Sequence, residues 1–225
     1  MKIVKLTLLL ALLTHVAFPQ ATKKEIPLSG NKSLEMVQVA ATEDTYEGRK
    51  ALKVTSKQGA TSEATFVKIN NSDFKDGVIE IELAGKPGTG ASDQARGFVG
   101  VAFRVNEDNS KFECIYLRPT NGRADDQLRR NHSVQYFSFP DYPWHRLRKE
   151  VPGMYETYVD LAPGEWTKVK IVVSGTTARL YVHDNSQPTL IVKDLKHGAD
   201  LRGKLGLWVG PGTEAHFTNL TVSNP

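Results

Sequence analysis

The chain has 225 residues, 40% hydrophobic and 24% charged, with a formal charge of +4 that falls to about +2 once Lys2 and Lys5 leave with a leader. That balance is too mild to argue for a nucleic-acid binder. The one cysteine, Cys114, excludes an intramolecular disulfide, so the core must hold by burial alone; Cys114 itself, among apolar neighbours, reads as a small core residue.

Residues 1–21, MKIVKLTLLLALLTHVAFPQA, place Lys2 and Lys5 before an apolar run from Leu6 to Leu13 and then small or turn residues. This is the layout of a secretory signal peptide, and the run is too short to span a bilayer. An exported protein is expected, periplasmic, cell-surface or secreted, with no membrane span. Residues 22–225 then form a single domain, a length that one all-β unit can reach.

After a polar lead-in, SLEMVQVAAT, RKALKVTS and SEATFVKI read as short strands separated by turn residues. GVIEIELAG alternates cleanly, with Ile79, Ile81 and Leu83 on one face and Glu80 and Glu82 on the other. KPGTGASD is a Gly/Pro/Ser loop. RGFVGVAFRV and KFECIYLR form a hairpin across NEDNS, and small residues Gly100 and Ala102 leave room on one face. A run rich in Arg, Asp, Asn and His follows, then a strand NHSVQYFSF on which His132, Val134 and Tyr136 face together. PDYPW breaks that strand, and YETYVDL reads as another. WTKVKIVVSG and TTARLYVHD make a hairpin at Gly175, and two last strands flank Pro211-Gly212. No helix of three turns is evident. Strands every ten residues or so predict a β-sandwich or barrel.

The chemistry concentrates between Arg118 and Glu150, where Arg118, Arg123, Arg129, Arg130, Arg146, Arg148 and Lys149 face only Asp125, Asp126, Asp141 and Glu150. Sugars are bound by rings that cover pyranose faces and by planar polar groups that bridge hydroxyls; anionic sugars add a need for Arg. Tyr116, Tyr136, Tyr142, Trp144 and Tyr155 offer rings, and Arg118, Asn121, Arg123, His132, Gln135, Arg146 and Arg148 offer polar groups. Surface ion pairing is the plainer reading of the arginines, and core packing that of Tyr116, Tyr136, Trp166 and Trp208. Tyr116 and Arg118 share one strand face, and Glu113 lies on the other. Either Arg118 meets the ligand, or Glu113 takes its place, paired with Arg104 on the adjacent strand. Glu113, His132, His145 and Glu156 are the candidate acid/base groups.

GEWTKVKIVVSGTTARLYV followed by GKLGLWVGPGTEAHFTNLTVS resembles the closing strands of concanavalin A-like lectin/glucanase domains, a superfamily that includes laminin-G-like modules and bacterial 3-keto-disaccharide hydrolases. GFVGVAFRV with FECIYLRP, and FKDGVIEIEL before them, fit the same pattern. The resemblance implies a jelly-roll sandwich of two antiparallel sheets. It implies a carbohydrate ligand at a curved sheet or its rim, without cofactor, in a protein expected to be monomeric. It leaves three functions open: a glycan binder, favouring an acidic or oxidised sugar; a glycoside hydrolase or lyase of the 3-keto-disaccharide type; or a protein-binding module. The Glu-x-Asp-x-x-Glu signature of laminarinase-like glucanases is absent. Calcium often sits at the edge of such sandwiches, and NEDNS and RADDQ carry suitable oxygens, but no spacing marks a metal site.

Overall fold

A computed structural model describes residues 23–57 and 63–223; the leader read from residues 1–21 lies outside them. Two antiparallel sheets face each other. The eight-stranded sheet runs β13 (Leu190–Val192), β12 (Thr177–Val182), β11 (Thr167–Ser174), β6 (Gly77–Pro87), β15 (Thr213–Ser223), β4 (Arg49–Ser56) and β3 (Val39–Tyr46), with β1 (Lys23–Glu25) on the far part of β15. The seven-stranded sheet runs β10 (Glu156–Thr157), β9 (Val134–Phe139), β8 (Phe112–Leu117), β7 (Val99–Val105), β14 (Gly203–Val209), β5 (Phe66–Phe74) and β2 (Leu34–Val37). Strands β14 and β15, consecutive in sequence, belong to different sheets and tie the two layers.

The period of two decides the core. Ile79, Ile81 and Leu83 of β6 turn inward beside Val169, Ile171 and Val173 of β11. Val99, Val101 and Phe103 of β7 meet them from the other sheet, and all nine are buried. Each such side chain contributes about 1.5–3 kcal/mol relative to exposure. The hairpin at Gly175 forms as its sequence implies, because the turn needs the positive φ of 56° that glycine supplies.

Three expectations need correction. Arg104 does not pair with Glu113. A bulge between β7 and β14 gives Arg104 a φ of +55° and buries it completely. Its guanidinium donates to the carbonyls of Lys75, Gly175 and Gly198 and to Asp76, so it clamps turns together. Glu113 and Tyr136 point between the sheets, where the Tyr136 hydroxyl donates to Glu113 at 2.7 Å and His197 N–H donates to its other oxygen at 3.0 Å. The polar run between β8 and β9, to which the sequence assigns no element, holds α1 (Pro119–Gly122) and α2 (Gln127–Asn131), and α3 (Trp144–Glu150) follows β9. Asp126 caps α2 by accepting from Arg129 N–H. These helices are too short to leave a 3.6-residue pattern.

Candidate functional site

A cleft of about 560 Å³ opens on the outer face of the seven-stranded sheet. Register builds its floor. Trp208 of β14, Gly100 of β7, Tyr116 of β8, Gln135 of β9 and Glu156 of β10 stand in one transverse row. Tyr116 and Trp208 have ring centroids 4.7 Å apart. Gly100 lies between them because a Cβ there would come within 2.5 Å of the Tyr116 Cβ and 2.3 Å of the Ile115 carbonyl. The room expected beside Gly100 is thus filled by Tyr116.

Arg118, two residues after Tyr116, rises from the same face. It donates to the His132 carbonyl at 3.0 Å and to the Tyr116 hydroxyl, and it lies 3.4 Å from the Gln135 oxygen. Its guanidinium is 5.0 Å from the Tyr116 ring centre and 5.5 Å from that of Trp144. Arg148 of α3 stands 4.9 Å from the same indole and donates to Glu156 at 2.6 and 2.9 Å. Cation–π attraction therefore holds Trp144 in place from two guanidiniums. His132 caps α2 instead of beginning β9, and this turns it away from Tyr136 and into the cleft. Its Nδ1 is 2.7 Å from Glu156 Oε2, but the direction is wrong for a hydrogen bond. Asn121 donates to the His132 carbonyl at 3.2 Å, while its own Oδ1 is buried without a partner among the described residues.

The charge in the cleft is unbalanced. Arg96, Arg118, Arg129 and Arg148 all line it, and among the described residues only Arg148 has a carboxylate partner. Burial lowers the Arg96 pKa, and repulsion from Arg129 and Arg118 lowers it further. Glu63 is half-buried and lines the cleft, and no described residue hydrogen-bonds its carboxylate. Burial raises its pKa, against the pull of Arg118. Burial lowers the pKa of His132, against the attraction of Glu156 and with help from Arg148 and Arg118. Burial also drives the Tyr116 phenol and the Cys114 thiol well up, so neither is a ready nucleophile.

Of the residues singled out from sequence, Tyr116, Arg118, Asn121, His132 and Trp144 line the cleft, and Gln135 accepts from Arg118 and Arg148 behind them. Arg123 pairs with Asp160 at the surface, and Arg146 pairs with Glu150; neither lines the cleft. Arg104, Glu113 and Tyr136 are not brought to it. Glu63, Arg96, Phe98 and Trp208 are cleft residues that sequence reasoning misses. Trp208 carries a legible signal: it is two strands from Tyr116, across a glycine that can host both rings. Among the described residues no cluster of three His, Cys, Asp or Glu side chains is placed to hold a metal, and no helix is long and apolar enough to cross a membrane. Oxygens in NEDNS are used within the turn itself, Asp108 accepting from Ser110 and Asn106 from Lys111.

No protein-family model matches the chain, and no curated protein matches it. Solved structures do. A carbohydrate-binding module CBM66 from Bacillus subtilis superposes with a TM-score of 0.54 at 15% identity, over 84% of this chain and 97% of that one. A protein of unknown function with a galectin-like fold, also from Bacillus subtilis, gives 0.52 at 10% identity, over 90% and 98%. The fold is a jelly-roll sandwich of two antiparallel sheets. Within this jelly roll the 118–156 excursion walls the outer face of one sheet and supplies most of the cleft's cations.

Proposed function

We propose that the cleft is the glycan-binding site of an exported carbohydrate-binding protein, with a preference for acidic or oxidised sugars. One observation carries this reading: an aromatic floor of Tyr116 and Trp208 lies beside Arg96, Arg118 and Arg129, none of which has a carboxylate partner among the described residues. A ring face can stack on the floor or on Trp144, and a sugar carboxylate would give the arginines the counter-charge that the protein withholds. The likeness to a carbohydrate-binding module supports the same class of ligand. Calorimetry against matched neutral and uronate-bearing oligosaccharides tests it. Acidic ligands should bind more tightly, and Arg118→Ala and Trp144→Ala should each weaken binding. Unchanged affinity in both variants would move the site elsewhere.

A second reading, a glycoside-cleaving hydrolase or lyase, is favoured by His132. The imidazole lines the cleft, its pKa is lowered so that it is a neutral base at pH 7, and buried Glu156 stands behind it. Product analysis separates the two readings. Release of shortened or unsaturated sugars that His132→Gln abolishes, while binding persists, would make the protein an enzyme. Glu113→Gln should leave any such release intact, since Glu113 is sealed between the sheets.

A further inference from the structure

The glycan site proposed above depends on the cations of the cleft; the one carboxylate that lines it among the described residues has a role of its own, which rests on that proposal. Glu63 precedes β5, and its backbone carbonyl accepts from the Trp208 indole at 2.7 Å, which fixes this residue against the floor. The side chain lines the cleft with Tyr116 and Arg118; Arg118 opposes the burial that raises the Glu63 pKa, and the Glu63 charge is felt by Tyr116 and by Cys114 on the same strand. Arg96 reaches the cleft from the β6–β7 connection, Arg129 and His132 from α2 and its cap, and Arg148, neutralised by Glu156, from α3. A structural carboxylate in such company would form ion pairs. Glu63 forms none within 4.0 Å among the described residues, and no described hydrogen bond fixes it.

We propose that Glu63 is a specificity-determining residue: it stands in the cleft as an unpaired carboxylate whose charge can be removed, and an acidic sugar binds with uptake of one proton at Glu63. An incoming carboxylate beside Arg118 adds a second negative charge near Glu63. Two carboxylates cannot both stay ionised at short range without strong cost, so the one held in place by the protein, already pushed toward its neutral form by burial, accepts the proton. The selectivity follows. A neutral glycan brings no second charge, so Glu63 stays ionised and no proton is taken up. A sugar carboxylate brings one, and protonated Glu63 can donate a hydrogen bond to it.

The test uses the full-length protein and a galacturonate trisaccharide, with the same trisaccharide methyl-esterified as the neutral probe. Calorimetry in buffers of different ionisation enthalpy reads proton uptake directly. Affinity for the acid should strengthen as pH falls from about 7.5 toward about 5, by up to about tenfold per pH unit for one linked proton. The ester should show no such slope. His132, which can also gain charge in this range, is controlled by His132→Gln, in which the slope should persist. Glu63→Gln should bind the acid at pH 7.5 as tightly as the native protein does at low pH, with the slope and the proton uptake removed. A pH-independent affinity for the acid, or weaker binding by Glu63→Gln at every pH, would overturn the role of Glu63 while leaving the acidic ligand in place. Absence of binding to the acid at any pH would instead overturn the acidic-glycan reading itself.

Discussion

The two sheets turn very different outer faces to solvent. On the eight-stranded sheet the charges are paired. Cross-strand neighbours Lys168 and Glu82, and Lys170 and Glu80, stand opposite one another. Glu82 also accepts from Arg49 at 2.7 Å, and Glu214 lies between Lys53 and Lys86 at 2.7 and 3.2 Å. On the seven-stranded sheet an aromatic floor carries guanidiniums that the protein leaves without carboxylates. The first face is the usual way to keep a half-buried strand in water. The second holds buried Arg118 at a cost, since a desolvated cation without a carboxylate partner is unfavourable. Glu80 and Glu82, the two carboxylates on one strand that could suggest a glycosidase pair, sit on the paired face, where Lys23 and Arg49 neutralise them.

The largest expected effect is on binding. Arg118→Ala should cost about 1.5–3 kcal/mol toward an acidic oligosaccharide, roughly tenfold to a hundredfold in Kd, as removal of a charge-assisted contact does. Calorimetry beside Lys170→Ala, on the paired face, supplies the contrast. If both substitutions weaken binding equally, the ligand responds to net charge alone and the distinction between the faces fails.

Next comes the floor itself. Gly100→Ala would press a methyl into the Tyr116 Cβ and the Ile115 carbonyl, atoms that belong to the adjacent strand and cannot swing aside. Denaturant unfolding should show a loss of about 1–3 kcal/mol, the usual cost of overpacking. Acid-ligand affinity should fall as well, because Tyr116 must tilt. A variant with native stability would mean that the floor has slack and that register does not set the ring positions.

These two positions also show what can be read from the chain. Ile79, Ile81 and Leu83 alternate with glutamates, so the paired face is visible as a period of two, and the hairpin at Gly175 and the strands around Pro211-Gly212 carry their own turn chemistry. Arg118 and Tyr116 are legible as partners because they lie two apart on a strand. His132 is not: a one-turn helix, capped by Asp126, moves it out of the strand and reverses its face. Glu63 and Arg96 are hidden for another reason. Both fall at the head of stretches read as strands, SEATFVKI and RGFVGVAFRV, but β5 begins only at Phe66 and β7 at Val99, so each sits in an irregular connection that the period of two does not aim, and only the folded sheet brings both to the cleft.

A smaller effect distinguishes the faces by pH. His216 of the paired face stacks on Tyr46, with centroids 3.9 Å apart, and lies 2.9 Å from Asp44. Burial lowers its pKa, with Asp44 opposing. The unfolded chain therefore takes up a proton near the ordinary pKa of about 6.5, whereas the folded one does so only at lower pH. Stability should thus decline as pH falls below about 6.5, and His216→Gln should flatten that decline. His132 has the same sign, because its pKa is lowered too. An acidic ligand should diminish the His132 contribution, by favouring the charged imidazole, and leave that of His216 untouched. Thermal melts against pH, with and without ligand, would show the two histidines responding alike if the faces were electrically equivalent.

The smallest expected effect is the sharpest control. Lys53→Met keeps the aliphatic stem and removes one cation from a pair in which Glu214 retains Lys86 as a second partner. Partly exposed pairs of this kind contribute about 0–1 kcal/mol. Unfolding measurements should therefore place Lys53→Met within that range, and its affinity for an acidic oligosaccharide should match the native protein. The two outcomes carry different information. Near-native stability says that the paired face is solvated and redundant. Unchanged binding says that the ligand answers to the local excess of guanidiniums around Tyr116 and not to the charge of the whole molecule. A loss of several kcal/mol would mean that the paired face is itself a built network, and the contrast between the two outer surfaces would then lie in what each network serves, not in whether its charges are satisfied.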